Sequence, residues 1–340
     1  MSRKRLRLLL AAVAVVALAA GLTAGLGNAG STKVQAGYKI FLLPKQIGQP
    51  VFNTNNQGAQ EAAKALGDKV TYNGPTEAVG SKQVPFIDTA VRQGFNAIII
   101  SADDPNAVAP ALKRAMAKGV KVISYDSDAA PNARNLFVSG PDQKAVGFAE
   151  VEWLGSQIGY KGDFAILSAT ATATNQNAWI GYMKQALKLP KYKNMKLVKI
   201  AYGNDNDTKS LQEAQGLLQA YPDLRGIIAP TTVGIAAAAR VVSQAKKCSA
   251  VRVTGLGLPS QMKSYVKSGC VLKFGLWNEK DFGYVAVQTA HALLAGKLTG
   301  KPGQSFVAGR LGKRTVGKGG VIIGVPPFAW TKKTIDSAGF

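Results

Sequence analysis

With 340 residues, 46% of them hydrophobic, the chain is longer than the roughly 250 to 300 residues over which one core keeps growing, so two lobes are expected. The formal charge is +23, and +18 remains once Arg3, Lys4, Arg5, Arg7 and Lys33 near the N-terminus are set aside; the remaining basic residues are dispersed, with only a modest concentration over 297–318. A nucleic-acid surface needs basic residues clustered among aromatics, so nucleic acid is not the expected partner, and a basic exterior suits anionic lipid or cell-wall polymer instead. The single histidine, His291, and the two cysteines supply neither a His/Cys metal site nor a catalytic triad.

The N-terminus places a basic cluster before an uncharged run over 8–26, which is the layout of a signal peptide. Residues 1–36 are read as that signal, with cleavage after Ala36 favoured over Ala29, and an uncleaved anchor as the alternative; either way the protein leaves the cytoplasm, for the periplasm or the outer face of the membrane. From there, short apolar runs alternate with amphipathic stretches. Strands are expected at 38–43, 69–72, 97–100, 120–125, 135–138, 164–167, 197–202, 226–228, 251–254 and 271–274. In one intervening helix Val108, Leu112, Ala115 and Met116 share a face, and Gly119 stops it. Strands separated by helices make an α/β fold of two doubly wound parallel-sheet lobes.

Seams are expected at Val138 to Pro141 and at Gly275 to Asn278, giving an N-terminal lobe of 37–139 plus about 279–308 and a C-terminal lobe of 140–278 plus about 309–340. Cys248 and Cys270 each precede a strand; a disulfide and a pair of buried thiols both fit.

In an open parallel sheet the ligand lies outside the carboxyl ends of the strands. In this chain those positions hold Lys45, Ser101 to Asp104, Asp126 to Asp128, Asn175 and Gln176, Asn204 and Asp205, and Pro230 to Thr232. Carboxylates, amides, hydroxyls and one ammonium form a set that reads hydroxyl groups. Phe52, Trp179 and Trp277 lie near the same strand ends, where an aromatic face could pack on the C–H face of a sugar ring. Two weaker motifs dissolve on inspection. Residues 204–207 lack the glycine and closing glutamate of a calcium loop and read as a helix cap, and Gly255 to Ser260 lacks the third glycine of a dinucleotide fingerprint. No cofactor is expected.

The segments Lys39 to Lys45, Tyr72 to Glu77, Tyr125 to Asp128, Asn175 to Trp179, Ile228 to Ala239 and Phe274 to Trp277, in that order, resemble type I periplasmic sugar-binding proteins of ABC transporters. Within that group the chain is most similar to rhamnose-binding proteins, cousins of the autoinducer-2 receptors. The resemblance implies a monomeric, non-enzymatic carrier that closes on a monosaccharide and delivers it to a membrane permease. It also implies a ligand set of Lys45, Asp126, Asn175, Gln176, Pro230 and Thr232, to which Phe52, Asp103, Trp179, Trp277 and Asn278 are added from their positions at strand ends and seams. Asn175 stands where the autoinducer-2 receptors have an acid, and Thr231-Thr232 where they have Asp-Ala, so rhamnose is expected ahead of autoinducer-2 or another small polyol or pentose. The rival from another class is a secreted sugar-active enzyme using Asp103, Asp104, Asp126 or Asp128 as acid and base.

Overall fold

The computed structural model describes residues 37–338, so the signal-peptide reading of 1–36 lies outside the described residues. The first sheet is built from β1 (Lys39–Leu43), β2 (Lys69–Tyr72), β3 (Ala97–Ile100), β4 (Lys121–Tyr125), β5 (Leu136–Ser139) and, from late in the chain, β13 (Val321–Ile323). Its order is β13-β5-β4-β3-β1-β2, and every pairing is parallel. Strand residues alternate between two cores. Ile40, Leu42, Ala97 and Ile99 face one, while Phe41, Leu43, Ile98 and Ile100 face the other. A sheet buried on both faces needs such unbroken apolar strands.

Helices α2 (Gly80–Arg92) and α3 (Pro105–Ala117) cover the second of these faces, with Ile87, Ala90, Val108, Leu112 and Ala115 buried. The other face is covered by α1 (Pro50–Leu66) and α9 (Glu279–Leu294), which pack closely on each other. Their crossing is tight at two glycines: a Cβ on Gly58 would stand 1.6 Å from the Lys280 carbonyl oxygen, and one on Gly283 would stand 1.9 Å from that of Asn55.

The second sheet runs β7-β6-β8-β9, all parallel, from β6 (Lys161–Ser168), β7 (Asn194–Tyr202), β8 (Gly226–Ala229) and β9 (Arg252–Gly255). Helices α4 (Gln143–Ile158) and α5 (Thr174–Ala186) pack on one face; α6 (Asp207–Ala220), α7 (Thr232–Gln244) and α8 (Pro259–Lys267) belong to the other. Strand β10 (Lys273–Leu276) joins this lobe through a Leu256–Gly275 bridge and pairs antiparallel with β14 (Phe328–Thr331). Of the two fates open to the cysteines the structure holds the disulfide, Cys248 to Cys270, which ties the entry of β9 to that of β10.

The chain crosses between lobes after β5, after β10 and after β13. The third crossing corrects the expected domain limits. Residues from about 309 were assigned to the second lobe, yet β13 pairs with β5 in the first sheet, so the change of lobe falls after Ile323. The remaining short strands β11 (Ser305–Val307) and β12 (Lys313–Thr315) form a hairpin-like pair on the way there. The run Val321–Ile323 is only three residues long, too short for its periodicity to announce a strand.

Candidate functional site

Lys45 follows β1 across Pro44, and Asp126 follows β4 with φ +58°, a left-handed turn that swings its carboxylate away from the strand line. Ser101, at the end of β3, donates to Asp126 Oδ2 at 2.7 Å, and Lys45 Nζ stands 3.7 Å from the same oxygen. The opposite lobe supplies the third member. Asn175, in the first turn of α5, donates through Nδ2 to Asp126 Oδ1 at 2.9 Å, and its Oδ1 lies 3.5 Å from Lys45 Nζ. Next to it, Gln176 is fixed through Oε1, which accepts from Ser168 Oγ at 2.6 Å and from the Ala169 amide at 2.7 Å, so its amide nitrogen remains for a ligand.

Lys45, Asp126, Asn175 and Gln176 line one cleft between the lobes, with about 520 Å³ of space free of protein atoms, its mouth included. Phe52, Trp179, Pro230, Thr232 and Trp277 line it as well, so nine of the eleven expected site residues converge there. Trp179 and Trp277 meet edge to face with ring centroids 5.9 Å apart, and Trp277 continues edge to face onto Phe282 at 6.1 Å. Val51, Leu256 and Leu276 complete an apolar side. The first turns of α1, α5, α7 and α9 all reach the cleft, so the positive ends of four helices face it and favour acceptor oxygens.

Two expected residues are not in the lining. Asn278 caps α9, accepting from the Asp281 amide at 3.0 Å, and it is the next residue, Glu279, that reaches the cleft. Asp103 is 1% exposed and sits behind the lining, with neither carboxyl oxygen hydrogen-bonded. Burial pushes its carboxyl up to about 8, against the opposing pull of Lys45. Asp128, which follows β4 two residues after Asp126, forms a two-point ion pair with Arg134, at 2.6 and 2.9 Å, and accepts from Ser124. Burial raises its carboxyl despite those partners.

Three polar lining residues, Gln49, Asn55 and Glu279, escaped the sequence reading, and Asp205, named among the strand-end positions, was left out of the ligand set. Asp205 lay in a run read as a helix cap. Asn206 does cap α6, accepting from the Lys209 amide at 2.9 Å, whereas Asp205, with φ +49°, turns inward to accept from the Thr231 hydroxyl. Burial raises its carboxyl, with Lys45 opposing. The Asp205 backbone carbonyl also accepts from Gln46 Nε2 at 2.9 Å and Gln49 Nε2 at 3.1 Å, both from the other lobe. On the far side of the cleft Thr172 donates to the Asp103 carbonyl at 2.9 Å and Thr174 to that of Asp128 at 3.0 Å. Among the described residues no cluster of His, Cys, Asp or Glu could hold a metal ion, and no helix is long and apolar enough to cross a membrane.

Two parallel-sheet lobes, crossed three times by the chain and clasping a polar cleft at their strand ends, define a two-lobed binding protein that holds its ligand between the lobes. A periplasmic binding protein domain model matches residues 40–298, and the chain belongs to that family. Among solved structures it is similar to a sugar ABC transporter protein from Actinomyces odontolyticus ATCC 17982, 44% identical, covering 89% of this chain and 98% of that one with TM-score 0.72. It is also similar to an ABC transporter solute-binding protein from Clostridium phytofermentas with bound L-rhamnose, 33% identical over 89% of this chain and 98% of that one, TM-score 0.86. Among curated proteins, the D-ribose/D-allose-binding protein of Pseudomonas aeruginosa is 26% identical over 305 residues, 87% of this chain and 94% of that protein.

Proposed function

We propose that the chain is the extracytoplasmic substrate-binding component of an ABC sugar importer, that it binds a monosaccharide without transforming it, and that L-rhamnose is its ligand. The observation that carries the reading is the Lys45–Asp126–Asn175 cluster, in which an ammonium, a carboxylate and an amide from two lobes meet in one buried cleft beside Trp179 and Trp277. Vicinal hydroxyls need acceptors and donors at fixed spacing, and the ring's C–H face needs an aromatic wall. A 6-deoxy sugar adds a methyl group, for which Val51, Leu256 and Leu276 offer an apolar side. The 33% identical solute-binding protein solved with L-rhamnose supports the same choice, while the relative named for D-ribose and D-allose makes those sugars the competitors. The partner is then a membrane permease that receives the closed, loaded carrier, and the protein works as an exported monomer.

A thermal-shift screen of L-rhamnose, D-ribose, D-allose, D-arabinose and autoinducer-2, followed by calorimetry, tests the reading. L-rhamnose is expected to give the largest shift, with an affinity nearly independent of salt, since no phosphate-like charge is being neutralised. Asp126→Ala strands Ser101 and Lys45 and is expected to weaken binding at least about tenfold with the circular dichroism unchanged. Chemical turnover of the sugar, or a larger shift with another member of the panel, would overturn the carrier or the rhamnose assignment respectively.

A further inference from the structure

The close crossing of α1 and α9 through Gly58 and Gly283 delivers two polar side chains into the cleft from helices whose buried faces are otherwise mostly apolar. Asn55 is 1% exposed and Glu279 3%. Asn55 Nδ2 donates twice, to the Glu279 backbone carbonyl at 2.8 Å and to Glu279 Oε2 at 2.6 Å, which uses both of its hydrogens. No ion pair reaches Glu279 among the described residues. Lys280, beside it on α9, is tied to Glu61, and Asp281 to Arg310. At the end of β4 stand Asp126, already engaged by Lys45, and Tyr125, a fully buried phenol. Asp103 and Asp205 add two further carboxyl groups around that same lysine.

We propose that Glu279, oriented by Asn55, is a specificity-determining residue that enters the cleft as a neutral carboxylic acid and donates a hydrogen bond from Oε1 to an oxygen of the bound sugar. This rests on the sugar-binding reading of the cleft. A carboxylate this buried, with neutral donors beside it and no cation paired to it among the described residues, is costly, so the proton stays on. Burial holds the carboxyl well above its ordinary range and nearby Asp126 adds to this, against the weaker help of Asn55 and Trp277 to the anion. Because Oε2 accepts from Asn55, it is the carbonyl oxygen of the acid, and the proton belongs on Oε1. Most of the cleft's other polar groups are acceptors or are already partnered; Glu279 adds a donor that a sugar lacking an oxygen at that position cannot use.

The test is calorimetry on the exported full-length protein with L-rhamnose, from neutral to alkaline pH. Wild-type affinity is expected to fall as the acid ionises. Glu279→Gln keeps an N–H where the O–H was, and is expected to lose much less affinity than Glu279→Leu, which is expected to lose about tenfold or more. The affinity of Glu279→Gln is also expected to lose the alkaline fall. Equal affinities for wild type and Glu279→Leu would overturn the proposal, as would an alkaline fall that persists undiminished in Glu279→Gln. Should Glu279→Leu not fold, the pH profiles of wild type and Glu279→Gln decide alone. A wild-type protein that binds none of the sugars marks failure of the sugar reading itself, and binding with variants indifferent to residue 279 marks failure of this proposal only.

Discussion

Asp103 occupies a position that the strand-end rule singles out, yet the structure gives its side chain no partner. An acid held protonated by burial has a definite thermodynamic signature. Burial raises its folded-state pKa to about 8, above the ordinary carboxylate value of 3.8, so the native state binds the proton more tightly than the unfolded chain does. The associated stability is complete in acid and is lost as pH rises through that interval, and is gone once the folded-state carboxyl has ionised. Asp103→Asn, which cannot ionise, is therefore expected to melt several degrees above wild type at about pH 9 and to lose that advantage toward about pH 4, as followed by circular dichroism. A constant difference across pH would mean that Asp103 titrates normally. At this scale the sequence was legible where a side chain stands in the loop after a strand or in the first turn of the helix that follows, as with Lys45, Asp126, Asn175 and Thr232. It was not legible at Asp205, because the residue before a helix cap and the residue aimed into a cleft look alike in one dimension. Asn278 shows the same limit by one position: the cap and the cleft residue are adjacent, and α9 begins between them.

Helices α1 and α9 show what periodicity leaves out. Their apolar faces can be read from spacing, but not that they meet through glycines, and this meeting is what carries Asn55 and Glu279 into the cleft. The strands were legible to within about three residues at either end because both faces of each sheet are buried and apolar runs result; β13 and β14, three and four residues long beyond the last strong pattern, were not. The crossing makes a test at the level of the element. Gly58→Ala would put a methyl group 1.6 Å from a carbonyl oxygen of α9, far inside contact distance, so the helices must part. A loss of about 1 to 3 kcal/mol in stability is expected, as for an overpacked core. Sugar affinity should weaken as well, because the Asn55–Glu279 pair rides on the same crossing. Denaturant titration and calorimetry measure the two effects separately, and an unchanged midpoint in the titration would show that the helices can slide apart freely.

Across the whole molecule the lobes meet through Asn175, which bonds to Asp126 and Lys45 inside the cleft, and at two further places on either side of it. Gln46 and Gln49 reach the Asp205 carbonyl, while Thr172 and Thr174 reach the carbonyls of Asp103 and Asp128. Each is a neutral bond at the rim, worth about 0.5 to 1.5 kcal/mol net, so neither place could hold the lobes together against the entropy of opening without help from what lies between them. Three short crossings at 140–142, 277–278 and 324–327 join the lobes, and links this short suit rotation of the lobes as rigid bodies about them. The Lys45–Asp126 pair in one lobe and Asn175 with Gln176 in the other can then engage one ligand only in the closed arrangement. L-rhamnose is therefore expected to shift the population toward compact molecules, and small-angle scattering should record a smaller radius of gyration at saturation than in free protein. Removing the rim contacts with Gln46→Ala and Gln49→Ala is expected to enlarge that difference by favouring the open form of the free protein, and to weaken affinity several-fold although neither bond in question involves the sugar. A radius of gyration that is the same with and without saturating sugar, in both wild type and the double variant, would rule out closure about these crossings.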